Sequence, residues 1–125
     1  MKIKERYKKH ILFILLFLIP FLFFSFIFNF VLMGDRMTGE SMLPELKHWD
    51  MVYSIRTNEI QVGDIIIFEN SKGADVIHRV IEIKDDRYVT KGDNNQWSDW
   101  NEIVTQENIK GKMIFRIPFG KLFKN

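Results

Sequence analysis

Apolar residues follow two regimes along this chain. From Ile11 to Met33 they run for 23 residues without a charge, interrupted only by Pro20, Ser25 and Asn29. From Gly34 onward they come in short bursts between polar turns. A helix over the first regime would be about 34 Å long at ~1.5 Å per residue, enough for a hydrocarbon core of ~30 Å. Pro20 should kink this helix rather than end it, because apolar residues continue on both sides. The run exceeds the ~7–15 residues of a typical cleavable leader core. Its exit also lacks a pair of small residues two apart, since Leu32 precedes Gly34 and Met37 precedes Gly39. The pattern predicts an uncleaved membrane anchor over 11–33.

The second regime reads as β structure. Met51–Arg56 alternates and is rich in β-branched and aromatic residues, and Ile65–Phe68 is an apolar run after the turn signal Gly63-Asp64. Val76–Lys84 follows the hairpin loop Asn70-Ser71-Lys72-Gly73. Tyr88–Lys91 follows the turn Asp85-Asp86-Arg87, and Met113–Ile117 is stopped by Pro118 and Gly120. No long stretch has helical spacing. The predicted fold is mainly β: one N-terminal transmembrane helix, then a small antiparallel β domain over 34–125.

Charge sets the orientation and removes one function class. Residues 1–10 carry five basic side chains against Glu5, a net of +4, which leaves −2 for the rest of a chain whose total is +2. Only Arg36 follows the apolar run closely, beside Asp35 and Glu40. The positive-inside rule therefore makes 1–10 a cytoplasmic basic tail and 34–125 an extracytoplasmic domain of a single-pass cell-membrane protein. In a eukaryotic endoplasmic reticulum the far side would be the lumen. The basic pI near 8.9 belongs to the tail. A nucleic-acid partner is not expected, since its binding site would need positive charge on the folded part. The absence of Cys excludes disulfides, thiolate metal sites and a cysteine nucleophile. The three His, at positions 10, 48 and 78, show no metal-ligand spacing, and no phosphate-binding loop or HExxH occurs. No metal or organic cofactor is expected. His48, in Lys47-His48-Trp49-Asp50, reads as a solvated loop residue.

Three segments stand out. Thr38-Gly39-Glu40-Ser41-Met42-Leu43-Pro44 places a Ser in a Gly- and Pro-bounded loop. In Val76-Ile77-His78-Arg79-Val80-Ile81, His78 and Arg79 interrupt an apolar strand; His78 shares a face with Val76 and Val80. Lys91-Gly92-Asp93-Asn94-Asn95 is a strong turn, followed by Trp97-Ser98-Asp99-Trp100. Ser, His and Asp thus occur in that order. A Ser hydroxyl becomes a useful nucleophile only with a base to take its proton and a third group to orient that base. Spacing alone does not bring the three together.

These segments resemble the type I signal peptidases. Ser41-Met42-Leu43-Pro44 is similar to that family's nucleophile box, and Gly63-Asp64-Ile65-Ile66-Ile67-Phe68 to its Gly-Asp strand. Val76-Ile77-His78-Arg79-Val80 is similar to its base box, Lys91-Gly92-Asp93-Asn94-Asn95 to its Gly-Asp-Asn box and Ile117-Pro118-Phe119-Gly120 to its closing segment. His78, where most bacterial members carry Lys, resembles the Ser-His-Asp branch of the endoplasmic reticulum and archaea. Gly39-Glu40-Ser41 resembles the bacterial box, and the mixture points to a Gram-positive source.

The resemblance implies a membrane-bound serine endopeptidase that cleaves N-terminal signal peptides from secreted pre-proteins. Ser41 would be the nucleophile and His78 the general base. Asp99 would orient His78, with Asp93 as supporting residue or alternative. The Ser41 N–H is the expected oxyanion donor, joined by another backbone N–H or the Thr38 hydroxyl; Gly39 replaces a Ser that serves this role in some members. Met42, Ile77 and Val80 are candidate linings of the substrate pockets. Expected partners are pre-proteins bearing signal peptides, the lipid bilayer and a secretion translocon. Only Gly34–Glu40 separates Met33 from Ser41, so Ser41 would work within about 25 Å of the anchor's end. Two other readings remain: a peptidase dedicated to one pilin-like or matrix substrate, and a non-catalytic membrane-anchored β adaptor.

Overall fold

The computed structural model describes residues 2–122. They form two compact units, one ending at Leu32 and the other beginning at Met33. The first is helix α1, Lys2–Phe26, continued by a π-helical turn at Ile27–Val31. The helix passes through Pro20 without ending. The stretch Lys4–Asn29 is long and apolar enough to cross a membrane, and none of its most apolar window is buried. The Asn29 amide donates to the Ser25 carbonyl at 2.7 Å, so this polar group is partnered within its own helix.

The second unit is a six-stranded antiparallel sheet in the order β1-β2-β6-β3-β4-β5. Its strands are β1 (Met33–Arg36), β2 (Met51–Ile55), β3 (Ile65–Glu69), β4 (Asp75–Lys84), β5 (Arg87–Lys91) and β6 (Ile109–Ile117). The turn expected at Asp85-Asp86 joins β4 to β5 with φ of 49° and 59°, the left-handed pair of a tight hairpin. The mainly antiparallel β fold expected from the pattern is therefore present. Two boundaries differ. Met33, the last residue of the charge-free run, opens β1 and pairs with Ser54. Met-Gly-Asp-Arg has little β character of its own, and pairing with β2 makes it a strand. β6 begins at Ile109, earlier than Met113.

Alternation divides the core between the two faces of the sheet. Ile65, Ile67, Ile77 and Val52 pack with Met37, Met42 and Leu46. Ile66, Phe68 and Val80 pack with Ile60, Val104 and Ile109. The helix-like turns of 40–46 are thus pinned to one face by buried Met42 and Leu46. Asp50, fully buried, closes the same loop at its far end. Its carboxylate accepts from the Lys47 and Gly120 N–H groups and from Arg116, at 2.9–3.0 Å. Burial pushes the Asp50 carboxyl up, but these donors outweigh it and hold the group below its ordinary value.

Candidate active site

Strand β4 supplies the imidazole. His78 pairs with Ile66 of β3 and is 8% exposed, with the Phe68 ring edge-on at 6.4 Å. Its Nδ1 lies 2.6 Å from Asp99 Oδ2. The same carboxylate oxygen accepts from Thr90 Oγ1 at 2.7 Å, and the Asp99 N–H donates to the Thr90 carbonyl at 2.8 Å. Thr90, buried in β5, therefore fixes Asp99 through both main chain and side chain. Burial pushes the Asp99 carboxyl up, yet the hydrogen bonds from His78 and Thr90 and the charge of the imidazole hold it below its ordinary value. A carboxylate on Nδ1 keeps the proton there and leaves Nε2 to accept one.

Asp93 goes elsewhere. It takes the Arg79 guanidinium in a two-point ion pair, Nε to Oδ1 at 2.9 Å and Nη2 to Oδ2 at 2.7 Å. Arg79 also donates to the Gly63 carbonyl at 2.8 Å. The expected alternative role beside His78 is thus not open to Asp93, whose carboxylate the strand arginine holds. Trp97 and Trp100, which flank Asp99 along the chain, are 77% and 81% exposed and do not shield it. The side-chain partners of Asp99 are Thr90 and His78.

Ser41 meets this assembly through the turn after β5. The Asn94 N–H donates to the Ser41 carbonyl at 2.8 Å. Gly92 makes the approach feasible, because a Cβ there would lie 2.6 Å from the Ser41 carbonyl oxygen. Ser41 and His78 line one cleft of about 330 Å³, together with Asp35–Thr38, Asp75–Ile77 and Asn95. Among the described residues no hydrogen bond joins Ser41 to His78, and such bonds often tighten only with substrate bound. Asp35 and Asp75 charge one part of this cleft. Burial, then repulsion from Asp75, raises the Asp35 carboxyl against the pull of Lys110.

Of the other expected residues, Thr38 and Ile77 line the cleft. Met42 and Val80 are fully buried in the cores of opposite faces and do not line it. They complete the scaffold because their side chains point into the two packed layers. Gly39, at φ +90°, donates its N–H to His48 Nδ1 at 2.9 Å, so this group is already engaged. His48 is exposed, as expected of a loop residue, and also has this defined partner. Thr90 had no motif to mark it; its one cue was a hydroxyl on the strand beside β4.

Residues 9–94 match the family described as signal peptidase, peptidase S26. The chain belongs to this family. The match spans Ser41, His78 and Asp93 and ends before Asp99. The sequence is also similar to the signal peptidase complex catalytic subunit SEC11 of Colletotrichum graminicola, 31% identical over 93 aligned positions. That alignment covers 63% of this chain and 54% of the relative, so the chain spans about half the length of the curated relative it matches. Both findings fit a type I signal peptidase of the endoplasmic-reticulum-like branch. The Gram-positive source suggested by Gly39-Glu40-Ser41 gains no support from a relative that is fungal.

Proposed function

We propose that this signal peptidase family member is a membrane-anchored serine endopeptidase that removes signal peptides from exported pre-proteins. The observation that carries the reading is the His78–Asp99 pair at 2.6 Å, opening into the cleft that Ser41 also lines. Ser41 Oγ attacks the scissile carbonyl carbon while its proton passes to His78 Nε2. Asp99 offsets the imidazolium charge that forms. The tetrahedral intermediate collapses as His78 returns the proton to the leaving amine, and water then releases the acyl group from Ser41 by the same steps. The Ser41 N–H, with the Thr38 hydroxyl beside it in the cleft, receives the oxyanion; such a donor contributes about 10²–10³ in rate.

The strand edges suit an extended substrate. β1 is paired on one side by β2, and β5 covers β4 only from Arg79 onward. Asp35–Arg36 and Asp75–His78 therefore offer uncovered backbone edges to the cleft, and an extended peptide can pair with both. Ile77 and Met37 give the cleft apolar surface for small side chains. The chain from Leu32 to Ser41 can reach at most about 30 Å, which keeps the nucleophile near the surface where a signal peptide emerges. Tethering enzyme and pre-protein to one bilayer raises their effective concentration. The basic tail favours a cytoplasmic N-terminus, with the β domain, the pre-protein and any secretion translocon meeting at the outer or lumenal face.

The test uses the full chain in liposomes with a pre-protein carrying a signal peptide, read by mass spectrometry of the products. Ser41→Ala and His78→Ala should each remove cleavage while the β-sheet circular dichroism is unchanged. Cleavage at the wild-type rate by folded Ser41→Ala would refute the reading.

A further inference from the structure

The loop that carries Ser41 is closed at its base by two main-chain bonds, Met37 N–H to the Asp50 carbonyl at 2.8 Å and Trp49 N–H to the Met37 carbonyl at 3.0 Å. The next rung is not main chain to main chain. There the Gly39 N–H donates to Nδ1 of His48 at 2.9 Å. Gly39 lies two residues before Ser41, at φ +90°, with open space where a Cβ would stand. No side chain of its own packs it in place. The His48 ring is itself held, edge-on to Trp49 at 4.6 Å, and Trp49 lies under the Arg36 guanidinium at 5.3 Å. Trp49 adopts φ +75°, a left-handed conformation costly for a bulky residue, with its own N–H tied to the Met37 carbonyl.

We infer that His48, braced by Trp49, is a positioning residue for the nucleophile: its Nδ1 fixes the backbone at Gly39 and so the direction in which Ser41 and the oxyanion-binding N–H enter the cleft. The inference rests on the signal peptidase reading of Ser41. Accepting from an N–H requires a lone pair on Nδ1, so the ring proton sits on Nε2. His48 is thus of opposite tautomer to His78, whose Nδ1 carries its proton toward Asp99. The role also removes the Gly39 N–H from the set of free oxyanion donors.

The experiment compares His48→Ala, His48→Asn and Ser41→Ala in the full chain, with kcat and KM measured separately on a signal-peptide-bearing pre-protein. An asparagine Oδ1 stands close to where Nδ1 stood and accepts the same N–H. His48→Ala should lower kcat about tenfold, the scale of one lost hydrogen bond, with KM within about twofold. His48→Asn should return kcat to within about threefold of wild type. Nitrogen NMR of the wild-type chain gives a second reading that needs no variant: His48 Nδ1 should resonate as an unprotonated ring nitrogen. Equal kcat in all three His48 forms, or a protonated Nδ1 at neutral pH, overturns the inference. Activity in Ser41→Ala overturns the peptidase reading instead, so the two failures are separable.

Discussion

Replacing Asp99 by Asn tests how the proposed triad obtains its rate. Both hydrogen bonds to this carboxylate, from His78 Nδ1 and Thr90 Oγ1, end on Oδ2. An asparagine with its carbonyl oxygen turned to that position accepts both, so the imidazole keeps its tautomer and the carboxylate charge alone is lost. Opposite charges about 4 Å apart at an effective dielectric near 20 interact by about 4 kcal/mol. One decade in rate corresponds to about 1.4 kcal/mol, so kcat should fall about 10³-fold. Reversal of the tautomer would cost more, about 10⁴-fold in the Ser-His-Asp template. In the resting enzyme the same change trades one shape for an equal one, and stability should drop by only about 1 kcal/mol. Single-turnover cleavage in liposomes gives the chemical step, and thermal melting followed by circular dichroism gives the stability. A folded Asp99→Asn protein cleaving within about tenfold of wild type would sink the charge argument. Thr90→Val is the companion. It leaves the charge and removes one bond to Oδ2, so kcat should fall by about three- to tenfold only.

Three further outcomes follow from the same geometry. Asp93→Asn breaks the two-point pair with Arg79, and should cost about 1–3 kcal/mol in a denaturant titration while lowering kcat far less than Asp99→Asn. Gly92→Ala puts a Cβ 2.6 Å from the Ser41 carbonyl oxygen; the loop must shift, and kcat should fall by about 10² or more with a lowered melting temperature. Asp50 and Asp99 both have folded values held below the ordinary 3.8, so the stability they contribute is complete above that pH and is lost as pH falls through the lower folded values. The melting temperature should therefore drop below about pH 4, and Asp50→Asn should start lower at neutral pH and show a shallower acid limb.

How far the sequence foretold this structure depends on which forces set each element. The strands from Met51, Ile65, Val76 and Tyr88 were legible because each alternates or is β-branched and is bounded by turn residues. β1 was not, because Met33–Arg36 is a strand only through its register with β2. Met42 and Val80 looked like pocket linings because an apolar residue near a candidate site reads the same whether it faces a ligand or the core. Burial on two opposite faces decides for the core. His48 is exposed, as its polar loop implied, but its bond to a main-chain N–H nine residues away was not legible, because a backbone donor leaves no mark in a sequence.

The two aspartates show where pattern and structure complement each other. Chain position alone allowed either Asp93 or Asp99 to serve His78, since both follow β5. The strand parity of β4 removes that freedom. His78 and Arg79 are successive residues, so their side chains leave opposite faces of the sheet, and one carboxylate cannot serve both. Each requires its own. Asp93 sits in the turn that also clamps the Ser41 carbonyl through Asn94, and from there it meets Arg79. Asp99, six residues on, is carried back to Thr90 by its own N–H and reaches the His78 side. The spacing between the two acids is thus what lets one segment of chain supply a structural pair on one face and a base-orienting carboxylate on the other. Asp93 cannot replace a lost Asp99 without abandoning Arg79 and crossing the sheet. Rescue of Asp99→Ala should accordingly come from added formate, which can occupy the vacated place beside His78, and not from any rearrangement of Asp93. Formate-independent activity in Asp99→Ala that disappears in the Asp93→Asn double variant would show that the two faces are not separate.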